Sequence, residues 1–198
     1  MKNFHLLLLG ACLSNTPALA QHATGSMGYS VLGIIAAGEY SKDESLYRAK
    51  GFVMQDVLGL TDQPQQFGLW ALVAATSGEL TTLVYTSDEK KREGVVLAFY
   101  GNRWSETGVT YKAYGFKDLP KEKATQLLDK LEVTIEAQRD YLHKDSDNNN
   151  VFFKYDDLSF LIYYADQATR IRVFWGQYDA DWTLAAFLKT KKRMLKKI

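Results

Sequence analysis

The fold is decided by a stretch of the chain that reads Val95-Val-Leu-Ala-Phe-Tyr100, Gly101-Asn-Arg-Trp-Ser-Glu-Thr-Gly108 and Val109-Thr-Tyr-Lys-Ala-Tyr-Gly-Phe116. The outer two segments are rich in β-branched and aromatic residues, which favour strands, and the middle one holds the Gly, Asn and Ser typical of turns. Strands joined by a short connection run antiparallel. The stretch therefore predicts a β-hairpin in an antiparallel sheet.

Similar segments lie on both sides of this hairpin. They predict a first strand group at 69–75, 80–86, 95–100 and 109–116, and a second group at 151–155, 158–164 and 170–175. Helical segments follow each group. Strand groups of this kind, separated by helices, indicate an α+β fold with antiparallel meanders, a long helix after the first group and a C-terminal helix.

The long helix is predicted from a cap and an apolar stripe. Asp118 and Pro120 are residue types that begin helices, and the polar run after His143 ends the pattern. At 3.6 residues per turn, an arc of about 100° holds the apolar residues of this segment. These are Ala124, Leu127, Leu128, Leu131, Ile135 and Leu142. An earlier helix is predicted from the capping box at 41–44.

The C-terminal helix is expected to run from about Trp182, capped by Asp179 or Asp181. An arc of about 120° holds its apolar residues. They are Leu184, Phe187, Leu188, Met194, Leu195 and Ile198. Lys191 lies in the middle of this arc, so its ammonium must reach water or meet an acid. We expect the stripe to dock on the sheet; the alternative is contact with an anionic membrane interface.

The first twenty residues read as a cleavable signal peptide. A short basic start is followed by a mostly apolar run at 4–13 and by Ala18-Leu-Ala20, which suits cleavage after Ala20. The apolar run is shorter than the roughly 20 residues that a membrane-spanning helix needs. We therefore expect an exported protein, periplasmic or secreted, with a flexible leader at 21–28 and a single α+β domain at 29–198.

The only cysteine, Cys12, leaves a second possibility open. Leu9-Gly-Ala-Cys12 fits a lipobox, which would make the protein a lipoprotein anchored through Cys12. Cleavage after Ala20 instead removes this cysteine, so that no disulfide can stabilise the domain. A hydrophobic content of 46% then supplies a core large enough to fold without one.

Charge is concentrated at the C-terminus. The last ten residues hold six positive charges and no acid. Without residues 1–20 the formal net charge falls from +1 to 0, so the rest of that shorter chain carries −6. A basic end on an acidic body indicates docking within the chain or an anionic partner.

Common catalytic patterns are missing from the sequence. Cleavage after Ala20 leaves only His22 and His143, so Cys-His and zinc chemistry lack ligands, and no P-loop or G-x-S-x-G motif occurs. His143 suits a helix C-terminus. We expect a protein without cofactor and without catalytic activity; the alternative is a small carboxylate-based hydrolase, because many acids are present.

One spacing resembles a calcium loop. Asp145, Asp147, Asn149 and Asp156 occupy loop positions that carry oxygen ligands in EF-hands. Asn150 replaces the turning glycine, and a strand rather than a helix is predicted to follow. We therefore interpret the segment as a polar helix-to-strand turn.

A binding surface is predicted at Arg103 and Trp104, which we place in the loop of the central hairpin. A large aromatic side chain beside Arg in such a loop can stack on a sugar or contact a protein. The other interpretation, which is the commoner one for such a residue, is a Trp104 side chain folded back over the sheet. We therefore expect a binding or structural domain of the bacterial cell envelope, with a protein or glycan partner and no nucleic acid.

Export can be tested by intact mass. We expect protein recovered from its host to have the mass of a chain that begins at Gln21, because Ala18 and Ala20 are the small residues that signal peptidase accepts. A mass that includes a diacylglycerol on Cys12 would show the lipoprotein instead.

Overall fold

The computed structural model describes residues 42–74, 78–108, 110–146 and 148–198, without the side chains of 42–44, 101, 102, 104 and 110–112. The predictions for the signal peptide, for Cys12 and for the leader lie outside these residues. In the described residues the order is a helix, four strands, two helices, four strands and a helix, which confirms the α+β prediction.

Two four-stranded antiparallel meanders make up the sheet. The first contains β1 (Gly68–Val73), β2 (Leu80–Ser87), β3 (Arg92–Trp104) and β4 (Thr110–Pro120). The second contains β5 (Asn150–Tyr155), β6 (Leu158–Ala165), β7 (Ala168–Trp175) and β8 (Tyr178–Thr183). Each strand pairs with the next one in sequence within its meander, as short connections require.

The meanders join through a short pairing between β3 and β8. Asn102 pairs with Asp179 and Arg103 pairs with Tyr178. β2 pairs with β3 only as far as Phe99, so the end of β3 is free to meet β8. This junction brings the β3–β4 loop next to the β7–β8 turn.

Helices cover the first meander on both faces. α1 (Lys42–Phe52), which continues as a π-helical segment (Val53–Leu58), packs on one face through Ala49, Phe52, Val53 and Val57. α2 (Lys121–Ala137), α3 (Arg139–Lys144) and α4 (Leu184–Met194) contribute to a cluster on the other face. Side chains of both meanders enter that second cluster, so we call its side of the sheet the inner face.

The apolar stripe of the long helix is confirmed, but its start and continuity are not as predicted. Asp118 pairs with Val96 inside β4, because the strand continues to Pro120, and α2 begins at Lys121. The helix is interrupted at Gln138, whose φ of −106° and ψ of 8° are not helical. Leu142 in α3 is nevertheless buried, as the stripe predicted.

The predicted start of the C-terminal helix is wrong by two residues, and the predicted caps are wrong. Trp182 lies in β8, where it packs edge-on against Phe187 at a ring distance of 5.3 Å. Asp179 and Asp181 are strand residues of β8. The cap is Thr183, whose hydroxyl accepts a hydrogen bond from the amide of Ala186 at 3.2 Å.

Docking of α4 on the sheet is confirmed. Phe187, Thr190 and Met194 are buried against the inner face, where the hydroxyls of Thr190 and Thr82 share a hydrogen bond of 2.8 Å. Lys191 meets acids, as expected, since its ammonium lies 2.5 Å from Asp129 and 2.6 Å from Glu132. In the described part of the chain, helices are too short or too polar to span a bilayer.

The inner cluster predicts a clear contrast between two neighbours on α2. Leu131 is fully buried, whereas Val133 is 67% exposed. We expect Leu131→Ala to lower the free energy of unfolding by about 2–5 kcal/mol, through lost burial and a cavity. Val133→Ala, the control, should change it by no more than about 0.5 kcal/mol. Chemical denaturation measures both, and equal losses would show that α2 does not face the core in this way.

Candidate functional site

A cleft lies at the junction of the two meanders. It is an open cavity of about 400 Å³, a size found among small-molecule sites. It is lined by Ser105, Glu106, Phe174, Gly176, Gln177, Tyr178 and Asp179. The β3–β4 loop thus forms one wall, and the β7–β8 hairpin forms the other.

The β7–β8 turn is as tight as a hairpin allows. Trp175 pairs with Tyr178, which leaves only Gly176 and Gln177 between the strands. Gly176 has a φ of 56°, a conformation that glycine adopts without a steric penalty. The turn therefore holds Gln177 at the rim of the cleft.

Arg103 supports this wall of the cleft. It lies in β3, not in the loop as predicted, because β3 continues to Trp104. Its Nε donates a hydrogen bond of 2.8 Å to Oε1 of Gln177, and its guanidinium lies 5.9 Å from the ring centre of Tyr178. Arg103 thus fixes the turn to β3. Trp104 is in the same strand, and its side chain lies outside the described residues.

Next to the cleft, the second meander exposes its other side, which we call the outer face. Side chains on this face come from alternate residues of each strand. They include Phe152, Leu161, Tyr163, Arg172, Phe174, Asp179 and Asp181. Phe152 is 79% exposed and Phe174 is 37% exposed. Among the described helices, α3 and α4 contact this meander from the inner face, where His143 meets Tyr164 and Phe187 meets Trp182.

A charged network occupies the centre of the outer face. Arg172 forms ion pairs with Asp179, which is only 2% exposed, and with Asp181 at 2.8 Å. The hydroxyl of Tyr163 donates to Oδ1 of Asp181 at 3.4 Å. One guanidinium therefore holds two carboxylates in place, and the more buried of them, Asp179, reaches the cleft.

The network also shifts the pKa values of Arg172 and Tyr163. Burial alone would lower the pKa of Arg172, but the hydrogen bonds and charges of Asp181 and Asp179 raise it overall. Burial, together with the negative charge of Asp181, raises the pKa of Tyr163. Arg172 is therefore a permanent cation and Tyr163 a neutral hydrogen-bond donor at physiological pH.

Among the described residues of the calcium-like spacing, Asp156 does not lie with Asp145 and Asn149. Asp145 accepts hydrogen bonds from the side-chain amide of Asn148 at 3.0 and 3.1 Å, and its carbonyl accepts from the amide of Asn149 at 2.8 Å. Asp156 follows β5, where it pairs with Lys123 at 2.9 Å, so the whole strand separates it from Asp145. Asp147 lies outside the described residues. Within the described part of the chain, no cluster of His, Cys, Asp and Glu is placed to hold a metal ion.

Asp118, an acid with a raised pKa, lies outside the cleft. Burial raises the pKa of Asp118. A hydrogen bond with Tyr85 and the positive charge of Arg92 lower this pKa, but they offset only part of the increase. Arg92 lies 3.5 Å from this carboxylate and donates to the carbonyl of Val57 at the end of the π-helical segment. The group is thus part of the contact between β4 and α1, away from the cleft.

Sequence reasoning missed the residues of the outer face, although a signal was present. With Gly176 and Gln177 as a two-residue turn, Arg172 falls opposite Asp181 and Phe174 opposite Asp179. Oppositely charged cross-strand pairs of this kind stabilise hairpins. Interpreting the two aspartates as helix caps concealed this register.

The buried carboxylate of Asp179 makes the network testable. We expect Arg172→Ala to destabilise the protein by about 3–5 kcal/mol, because it removes the cation that forms an ion pair with a buried carboxylate. Arg170→Ala removes only an ion pair with Asp166, which is 82% exposed, and should change stability by less than about 1 kcal/mol. Thermal and denaturant unfolding measure the stability of both variants. A small loss for Arg172→Ala as well as for Arg170→Ala would contradict the ion pair between Arg172 and Asp179.

Comparison with protein-family models, with curated proteins and with solved structures finds no match to this chain. The function proposed below therefore rests on the geometry of the described residues and on the sequence. The cleft and the outer face are two features that this geometry offers for binding.

Proposed function

We propose that this chain is an exported bacterial protein whose domain binds a partner in the cell envelope without catalysing a reaction. The cleft at the junction of the meanders is the observation that carries the proposal. It is concave, and the turn and the loop that form it come from different meanders. Binding sites commonly combine such a concave shape with a few placed polar groups.

The lining of the cleft favours a glycan as the partner. Phe174 offers a partly exposed apolar ring, against which the C–H face of a sugar can pack. Ser105, Glu106 and Gln177 bring a hydroxyl, a carboxylate and an amide to the same cavity. Together these groups can accept hydrogen bonds from sugar hydroxyls and donate to them.

Binding is better supported than hydrolysis. A carboxylate-based hydrolase needs a pair of acids in one cleft, one of which can transfer a proton. Glu106 and Asp179 both line the cavity, but Asp179 is held by the guanidinium of Arg172. Asp118, the buried acid with a raised pKa, lies between the first meander and the π-helical segment and does not line the cleft.

The location in the envelope is supported by the N-terminal sequence. The apolar run at 4–13 and the small residues Ala18 and Ala20 are typical of exported precursors. Cell-envelope polymers rich in amino sugars are then the glycans that the domain would encounter.

The experiment is isothermal titration calorimetry of the protein with an oligomer of N-acetylglucosamine. We expect binding in the micromolar to millimolar range, and at least a tenfold weaker affinity for Phe174→Ala, because the ring supplies the apolar contact. Phe152→Ala is the matched control: its ring is on the same outer face but does not line the cleft, so affinity should be unchanged.

Two results would overturn the proposal. The first is the absence of binding at millimolar oligomer. The second is binding that Phe174→Ala leaves intact, since the cleft would then not be the site. Circular dichroism of each variant shows whether the fold is retained.

A further inference from the structure

The docked helix α4 leaves a strongly cationic side exposed. Its buried side is formed by Phe187, Thr190 and Met194. Cations occupy much of the opposite side and the turn that follows. They are Lys189, Lys192, Arg193, Lys196 and Lys197, all of them exposed. The remaining cation of the segment, Lys191, is already neutralised by Asp129 and Glu132.

The positive charges on this side are not balanced locally. Among the described residues, Lys189, Lys192 and Lys196 form no ion pair with an acid. Arg193 donates to the carbonyl of Leu72 in β1, and Lys197 lies over the ring of Trp70 at 4.7 Å, so both keep their charge. The surface therefore carries a field that attracts anions.

Apolar side chains border the same surface. Leu188 is 44% exposed and Leu195 is 60% exposed, although the sequence predicted that both would be buried with the stripe. They are seven residues apart and so lie on one flank of α4. On the other flank, Trp70 of β1 is 42% exposed beneath Lys197.

We propose that this surface, formed by α4 and Trp70, binds the face of an anionic lipid bilayer, with the helix parallel to the membrane plane. Lysines attract anionic headgroups, while leucine and tryptophan side chains enter the interface between headgroups and acyl chains. Tryptophan in particular favours this interface.

The exposed apolar residues distinguish a bilayer from other anionic partners. A polyanion such as a nucleic acid is bound through phosphate contacts with cations and needs no aliphatic flank. The helix is also already folded on the sheet, so binding does not have to order it. The rest of the chain carries a net negative charge. An anionic membrane repels that part and attracts α4, so the α4 side turns towards the membrane.

The test is co-sedimentation of the full chain with phosphatidylcholine vesicles, with and without about one third phosphatidylglycerol. All variants keep the same N-terminus, so differences between them report on α4. We expect binding that requires the anionic lipid and that weakens as salt is raised.

A charge-reversal variant tests the lysines. With Lys189→Glu, Lys192→Glu and Lys196→Glu combined, we expect affinity for the anionic vesicles to fall by at least about a hundredfold, since the loss of each lysine costs about a factor of five and the new carboxylates repel the lipid. The matched control combines Lys91→Glu, Lys144→Glu and Lys154→Glu, which are exposed lysines in the β2–β3 turn, in α3 and in β5. It should retain affinity within a factor of about three.

A second variant, Leu188→Ser with Leu195→Ser, tests the apolar flank. We expect it to lose at least tenfold in vesicle affinity while keeping its affinity for heparin, a soluble polyanion. Unchanged vesicle binding by this variant would overturn the proposal in favour of a polyanion or an acidic protein. An equal loss in the control lysine variant would also overturn it, because the attraction would not belong to α4.

Discussion

The pairing of β3 with β8, through Asn102–Asp179 and Arg103–Tyr178, brings the two meanders into contact, and a bridge between Glu79 and Asp181 adds to it. Tyr178 is central to it. Its ring stacks on Trp175 at 5.7 Å and lies 6.3 Å from Phe99 of the first meander. It also passes so close to Gly115 that a Cβ at that position would lie 3.0 Å from it. A larger residue at position 115 would therefore push this ring aside by a few tenths of an ångström.

The cleft is a consequence of this junction. Because β8 meets β3 near its end, the β3–β4 loop and the β7–β8 turn project side by side. The hydrogen bond from Arg103 to Gln177 ties the turn to β3, and Arg172 forms an ion pair with Asp179, which lines the cavity. Phe174, Gln177 and Asp179 are thereby fixed on strands and a tight turn, which gives them a defined geometry.

The ion pairs of Lys191 explain why α4 has exposed apolar side chains. Lys191 lies within the apolar arc of the helix, and a buried ammonium needs acids close by. Asp129 and Glu132 of α2 supply them. Pairing with α2 places this side of the arc at the edge of the core, so Leu188 and Leu195 remain exposed. An ion pair inside an apolar stripe thus sets which side of the helix faces outward.

Sequence patterns predicted the elements that have strong local signals. The seven predicted strands, the stripe of α2 and the docking of α4 are present, because β-branched runs and helical periodicity reflect burial directly. The strand β8 was missed, since Tyr178-Asp-Ala-Asp-Trp-Thr183 alternates acids with buried residues and resembles a helix cap. The cleft depends on β3 meeting β8, a contact between residues distant in sequence, and no local pattern encodes it.

Native-state hydrogen exchange of the intact protein tests the central claim, that the junction and the shared inner cluster make the two meanders one cooperative unit. The amides of β3 and β7 that are bonded within the sheet should reach the same maximal free energy of exchange, equal to that of global unfolding. Exchange of β7 through a separate opening of lower free energy, with β3 still protected, would contradict it.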